Sequence, residues 1–226
     1  MSSAFDVQAI DGSALALEIR GLAAHSKVEI GATASDTLLY VSAGSGTLSL
    51  DGREHALRPR SAALVVAGET ANIEAETALE LVVTNVDGDA DLHAPMGTRE
   101  VMTSLDDARA QLATGARSFQ ILFGPHNGST RATLFAGFIP PGKAPWHYHL
   151  YDEIVWVPEG PGRLHLAEGD ESLGAGAAFR LRPRQVHIVE NEGSGEMTII
   201  GVFTPAGSPS AAYLTADVAA EYRFAG

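Results

Sequence analysis

One pattern occurs twice in this 226-residue chain, and the repetition limits the folds open to it. "DTLLYVSAGSGTLSL" (Asp36 to Leu50) aligns without gaps on "DEIVWVPEGPGRLHL" (Asp152 to Leu166), an offset of 116 residues. Asp pairs with Asp, Tyr40 with Trp156, Val41 with Val157, Gly44 and Gly46 with Gly160 and Gly162, and Leu48 with Leu164. Farther on, "SAALVVAGETANI" (Ser61 to Ile73) runs beside "GAAFRLRPRQVHI" (Gly176 to Ile188). A repeat of this length means two copies of one structural unit. Within each copy the apolar runs are short, such as "TLLYVSAG", "AALVVAG", "EIVWVPEG" and "MTIIGVF", and Gly, Pro, Asn or Asp closes each one. That is the spacing of an all-β sandwich or barrel.

The expected division is a first barrel over residues 1–100, a helical linker over 101–116 and a second barrel over 117–226. The linker helix is predicted in "SLDDARAQLATG": Ser104 caps the N-terminus, Asp106 and Asp107 suit the positive end of the dipole, and Gly115 suits the stop. A second short helix is predicted in the tail from Thr215 onward.

Composition removes several functional classes. A formal net charge of −13 with 15 Lys+Arg leaves no basic stripe for a phosphate backbone, so nucleic acid is not an expected partner. No run of about 18 apolar residues and no basic-then-apolar leader occurs, so neither a membrane nor export is expected and the cytoplasm is the expected location. With no cysteine, disulfides, thiolate nucleophiles and Cys-based zinc sites are excluded, and any metal must be held by nitrogen and oxygen. A dinucleotide fingerprint, a P-loop and a G-x-S-x-G elbow are all missing. A small-molecule substrate and a monomer or homodimer are the expected partners.

The densest titratable cluster lies in "PWHYHLYDEIVWVPEGPG", residues 145 to 162. On an extended strand side chains alternate, so His147 and His149 share one face while Trp146 and Tyr148 take the other. Glu153 begins the next strand and can bring a carboxylate to the same side, and His187 follows on a strand well downstream. Three imidazoles and one carboxylate leave two open positions in an octahedral shell and suit one divalent Fe, Mn, Ni, Co or Zn ion. Val155 and Val157 share the ligand face and are expected to line the substrate pocket, with Phe135, Phe179 and Phe203 as further lining candidates.

His147, His149, Glu153 and Gly160 read H-x-H-x3-E-x6-G, and Gly176, His187 and Asn191 keep the spacing of a second element, with Arg182 where Pro is usual and Arg184 where Gly is usual. In these residues the second half resembles a cupin. With the repeat, the resemblance implies a bicupin: two double-stranded β-helix (jelly-roll) barrels in tandem with one or two short helices, metal ligands kept only in the second. By the alignments the first copy has Gly31, Thr33, Thr37 and Asn72 where His147, His149, Glu153 and His187 stand. The resemblance implies a metal-dependent enzyme, with a dioxygenase favoured. The alternatives are an isomerase, lyase or hydrolase in which Glu153 leaves the metal and shuttles a catalytic proton, and a binding protein without catalysis.

Overall fold

The β-branched and apolar runs all become strands in the computed structural model, which describes residues 8–11, 14–31, 34–113 and 116–214. The first barrel contains β1 (Gln8–Asp11), β2 (Leu15–Leu22), β3 (Lys27–Ile30), β4 (Ser35–Ala43), β5 (Gly46–Leu50), β6 (Arg53–Leu57), β7 (Ser61–Val65), β8 (Ala71–Ala75), β9 (Leu79–Asp87) and β10 (Met102–Ser104). Two antiparallel sheets result, ordered β1-β2-β9-β4-β7-β10 and β3-β8-β5-β6. The second barrel contains β11 (Ala110–Leu112), β12 (Ser118–Phe123), β13 (Thr133–Ile139), β14 (Gly142–Lys143), β15 (His147–Tyr148), β16 (Asp152–Trp156), β17 (Gly162–Leu166), β18 (Gly169–Leu173), β19 (Ala178–Leu181), β20 (His187–Asn191), β21 (Met197–Thr204) and β22 (Tyr213–Leu214). Its sheets run β11-β12-β13-β21-β16-β19 and β18-β17-β20-β15-β22, with β14 also on β20.

Burial explains why some strands read as unbroken apolar runs and others alternate. β4 and β16 lie in the sheets where the two barrels meet, so both of their faces are covered. From β4, Leu38 and Tyr40 pack into a core shared with Ile154 and Trp156 of β16, while Leu39 and Val41 point into the first barrel. Val155 and Val157 point into the second. The outer strand β8 has water on one side, and its sequence "ANIEA" alternates buried and exposed. Arg131 of the second barrel adds a polar tie by donating to both carboxylate oxygens of Asp36 at 3.2 Å. The repeated glycines have a steric cause: a Cβ on Gly46 would sit 2.5 Å from the Glu74 carbonyl oxygen, and one on Gly162 would sit 2.9 Å from that of Glu190.

The expected linker helix does not form, and no helix occurs among the described residues. Ser104 does start a turn, accepting from Asp107 and Ala108 through its carbonyl. Leu105 is then pulled into the shared core and Asp106 pairs with Arg60 at 3.0 Å. Residues 110–112 pair with β12. Twelve residues make a marginal helix in water, and these tertiary contacts outcompete it. The expected tail helix lies outside the described residues.

Candidate metal centre

The register of the second barrel gathers the histidines. His147 on β15 stands directly opposite His187 on β20. His149 follows β15, and its carbonyl accepts the backbone N–H of Arg184 at 2.6 Å. Arg184 sits at φ 65°, in the left-handed region that favours glycine, so the departure from the cupin pattern keeps the turn and carries its strain. The chain then crosses to the other sheet, where Glu153 on β16 lies between Leu181 and Phe203. One wall thus supplies three imidazoles and the opposite wall a carboxylate.

The rings converge. Centroids of His147 and His187 are 4.4 Å apart, those of His147 and His149 5.1 Å, and those of His149 and His187 5.0 Å. One ring nitrogen from each lies within 4.8 Å of the other two. Backbone carbonyls set the tautomers: Nδ1 of His147 meets Pro145 O and Nδ1 of His187 meets Gln185 O, each at 2.9 Å. A carbonyl can only accept, so both Nδ1 atoms carry the proton and both Nε2 lone pairs are left bare for a metal. The Ala211 backbone favours the protonated His149 ring more loosely, without a full hydrogen bond to Nδ1. Nε2 of His149 is 3.7 Å from Oε2 of Glu153.

Electrostatics agree with a donor set built for a cation. Burial pulls His149 down to about 3 and His187 down to about 4, each pushed further by a neighbouring ring, and burial also lowers His147. All three are neutral donors at pH 7. Burial, with help from Asp152, pushes Glu153 up to about 8. Two neutral rings with bare Nε2 atoms, a third ring and an adjacent carboxyl fit a divalent transition metal.

The histidines open onto a cavity of about 100 Å³. Of the five side chains expected around it, Phe135 and Val155 line it. Val157 and Phe179 do not: both pack with Leu164 and Leu173 in the core at the other end of the barrel. Phe203 also stands behind the lining, stacked on Tyr151 at 4.0 Å and edge-on to Phe135 at 5.8 Å. Trp146 and Tyr148 face away as alternation requires, Trp146 half-exposed against His165 and Tyr148 stacked on Tyr213. Among the lining residues that sequence reasoning missed, two bear directly on the chemistry. Tyr151 stacks on His149 at 4.5 Å, and the same alternation, carried from His147 through His149, would have placed it there. Arg117 enters from the segment before β12, and no local spacing signals it.

The first barrel is plugged at the matching place, and at the positions of the facing pair His147 and His187 the residues differ from those the alignments chose. Ile30 pairs with Ala71 where His147 pairs with His187. Asn72, the expected counterpart of His187, instead faces solvent, because the strand registers keep the 116-residue offset through β8 and put Ala71 there. Val83 stands opposite Leu39 where Gly201 stands opposite Val155. Ile30, Ala71 and Val83 belong to one buried apolar cluster, which offers a metal no donor. The counterpart of His149, Thr33, lies outside the described residues.

Two antiparallel barrels with this histidine cluster define a cupin-fold protein with two cupin barrels. Residues 136–203 match the family model described as "Cupin domain", so the second barrel carries the recognisable cupin sequence. The fold of nearly the whole chain is shared with solved structures. AerE from Microcystis aeruginosa superposes with TM-score 0.73 and 12% identity, over 88% of this chain and 91% of that one. A cupin 2 conserved barrel domain protein from Leptotrichia buccalis gives TM-score 0.64 and 13% identity over 90% of each chain. Oxalate decarboxylase of Bacillus subtilis gives TM-score 0.70 and 14% identity, over 86% of this chain and 70% of that one. No curated protein matches by sequence.

Proposed function

We propose that the second barrel is a metal-dependent enzyme site, and that it acts as a dioxygenase on a small organic molecule. One observation carries this reading: three buried, neutral imidazoles turn their free nitrogens toward one point in a cavity walled by Phe135, Val155, Leu181 and Ile199. His147, His149 and His187 would hold the ion, with Glu153 as fourth ligand, and Fe, Mn, Ni, Co or Zn all suit that set. The Mn(II) centres of the Bacillus subtilis oxalate decarboxylase support a metal in this fold. Such an ion would supply Lewis acidity and, unless it is Zn, redox chemistry with dioxygen.

The chain's own residues do the rest. Pro145 and Gln185 carbonyls keep the His147 and His187 rings aimed inward. The apolar walls exclude water and favour a partly hydrophobic substrate over a heavily hydroxylated one. Glu153 lies at the edge of the histidine cluster, with Oε2 3.7 Å from His149 Nε2, so a Glu153 that leaves the ion could instead move a proton to or from a bound molecule. That placement also favours a second reading, a metal-dependent isomerase, lyase or hydrolase using the same carboxyl.

The cosubstrate separates the two. Screened against small enols, diketones and acids, the protein is expected to consume O₂ in step with substrate, to stop without oxygen, and to lose turnover when loaded with Zn. Full turnover by the Zn form under anaerobic conditions rejects the dioxygenase and leaves the second reading.

A further inference from the structure

Arg117 lines the same cavity as the three histidines, yet no carboxylate pairs with it among the described residues. Its charge bears on His147, His149 and His187 alike, lowering the pKa of each ring. Burial alone pulls Arg117 itself down to about 10, with no acidic neighbour offsetting the loss of water. Glu153 lines the same cavity, but no ion pair joins it to Arg117 among the described residues. A guanidinium brings five N–H donors. Among the described residues, its hydrogen bond is from Nη2 to the Val189 carbonyl.

That bond explains how the side chain is held. Along one edge of β20, β14 pairs with Asn191 and Glu190 and β15 pairs with His187, so Ile188 and Val189 fall in a gap between the two ladders. Arg117 caps the gap through Val189 O and thereby keeps its remaining donors beside His187, two residues away on the same strand. Arg117 is half-buried, and a cation drawn partly out of water is costly unless something anionic completes it. The chain as a whole carries −13, so an anion reaching this site must be held by local groups.

We propose that Arg117 is the anchor for an anionic substrate, an organic carboxylate or enolate whose negative oxygens lie between the guanidinium and the metal position. This rests on the metal-site reading above and narrows it from a small organic molecule to a small organic acid. Planar, forked N–H donors match a carboxylate in two places, which also orients the rest of the molecule toward the histidine face.

The test uses two probes of similar shape, butyrate and butyramide, titrated by calorimetry into Mn-loaded and metal-free full-length protein. Wild type is expected to prefer butyrate in both forms. Arg117→Gln should weaken butyrate at least tenfold, leave butyramide within twofold, and leave metal content unchanged. Arg117→Lys should keep part of the preference, since it keeps the charge without the fork. Equal weakening of both probes, loss of metal, or unfolding of both variants makes Arg117 a structural peg for Val189 and overturns the proposal. The metal-free arm separates the two claims: if the wild type binds no metal but Arg117→Gln still abolishes the preference for butyrate, the anchor stands and the metal reading falls.

Discussion

Gly201→Ala is the smallest change that should disturb the candidate centre without touching a ligand. Gly201 stands opposite Phe135 across β13 and β21, and opposite Val155 across β16. A Cβ there would lie 2.6 Å from Cζ of Phe135 and 3.1 Å from Oε1 of Glu153. Carbon atoms do not pack at 2.6 Å, so the Phe135 ring or the strand must give. The ring has little room, because Phe203 meets it edge-on and Tyr151 backs Phe203. Overpacking of this kind costs about 1–3 kcal/mol, against which alanine regains roughly 0.5–1 kcal/mol of strand propensity over glycine. The expected net loss in urea unfolding, measured with chelator present, is therefore about 0–2.5 kcal/mol. Displacing the Glu153 carboxyl by even a few tenths of an ångström should also weaken metal binding tenfold or more, as changes just behind a ligand commonly do. Competition with a fluorescent chelator reads that loss. Wild-type stability together with wild-type metal affinity would show that Gly201 is not what makes room for the carboxylate.

Three further outcomes follow from other parts of the molecule. Burial holds His149 near 3 and His187 near 4, below their usual 6.5, so metal-free protein should lose stability as pH falls below 6.5, where the unfolded chain takes up protons that the folded one refuses. Burial holds Glu153 near 8, above its usual 4.5, so stability should also fall as pH rises toward 8; urea unfolding in chelator should peak near pH 6.5, and a continuous rise to pH 8 would contradict the burial of Glu153. Trp156→Ala, at a side chain 4% exposed in the core shared by the barrels, should cost about 3–5 kcal/mol by chemical denaturation. Arg184→Gly should stabilise by about 1 kcal/mol, because only the exposed arginine's left-handed backbone is relieved; an unchanged or lower midpoint would mean that the turn is not strained.

The barrels were legible because a repeat reports register directly: Gly46 and Gly162 each sit against a carbonyl oxygen in the same place of their own copy. The histidines were legible because strand alternation is local, and His147 and His149 needed only that rule. What failed depends on contacts distant in sequence. The segment from Ser104 has a helix cap and a stop, but the pull of Leu105 into the shared core and the pairing of residues 110–112 are tertiary facts. Val157 has the phase of Val155 yet lies deeper, because the interior is open only near the histidines and packed at its other end. Asn72 was chosen by an alignment one residue out of register, which on a strand swaps the buried face for the exposed one. Arg117, 30 residues before His147, reaches the cavity only through the topology that sets β12 beside β13.

The most direct test of the account is a count of metal per chain. Chelator-stripped protein should be dialysed against Mn²⁺ or Zn²⁺, analysed by elemental mass spectrometry, and compared with a variant carrying His147→Ala, His149→Ala and His187→Ala together. The wild type should retain about one ion per chain and the triple variant none, with the β-sheet circular dichroism of both unchanged, since the sheets rather than the ion hold each barrel together. Two ions per chain, or an ion that survives loss of all three histidines, would place the metal elsewhere and contradict a single centre in the second barrel.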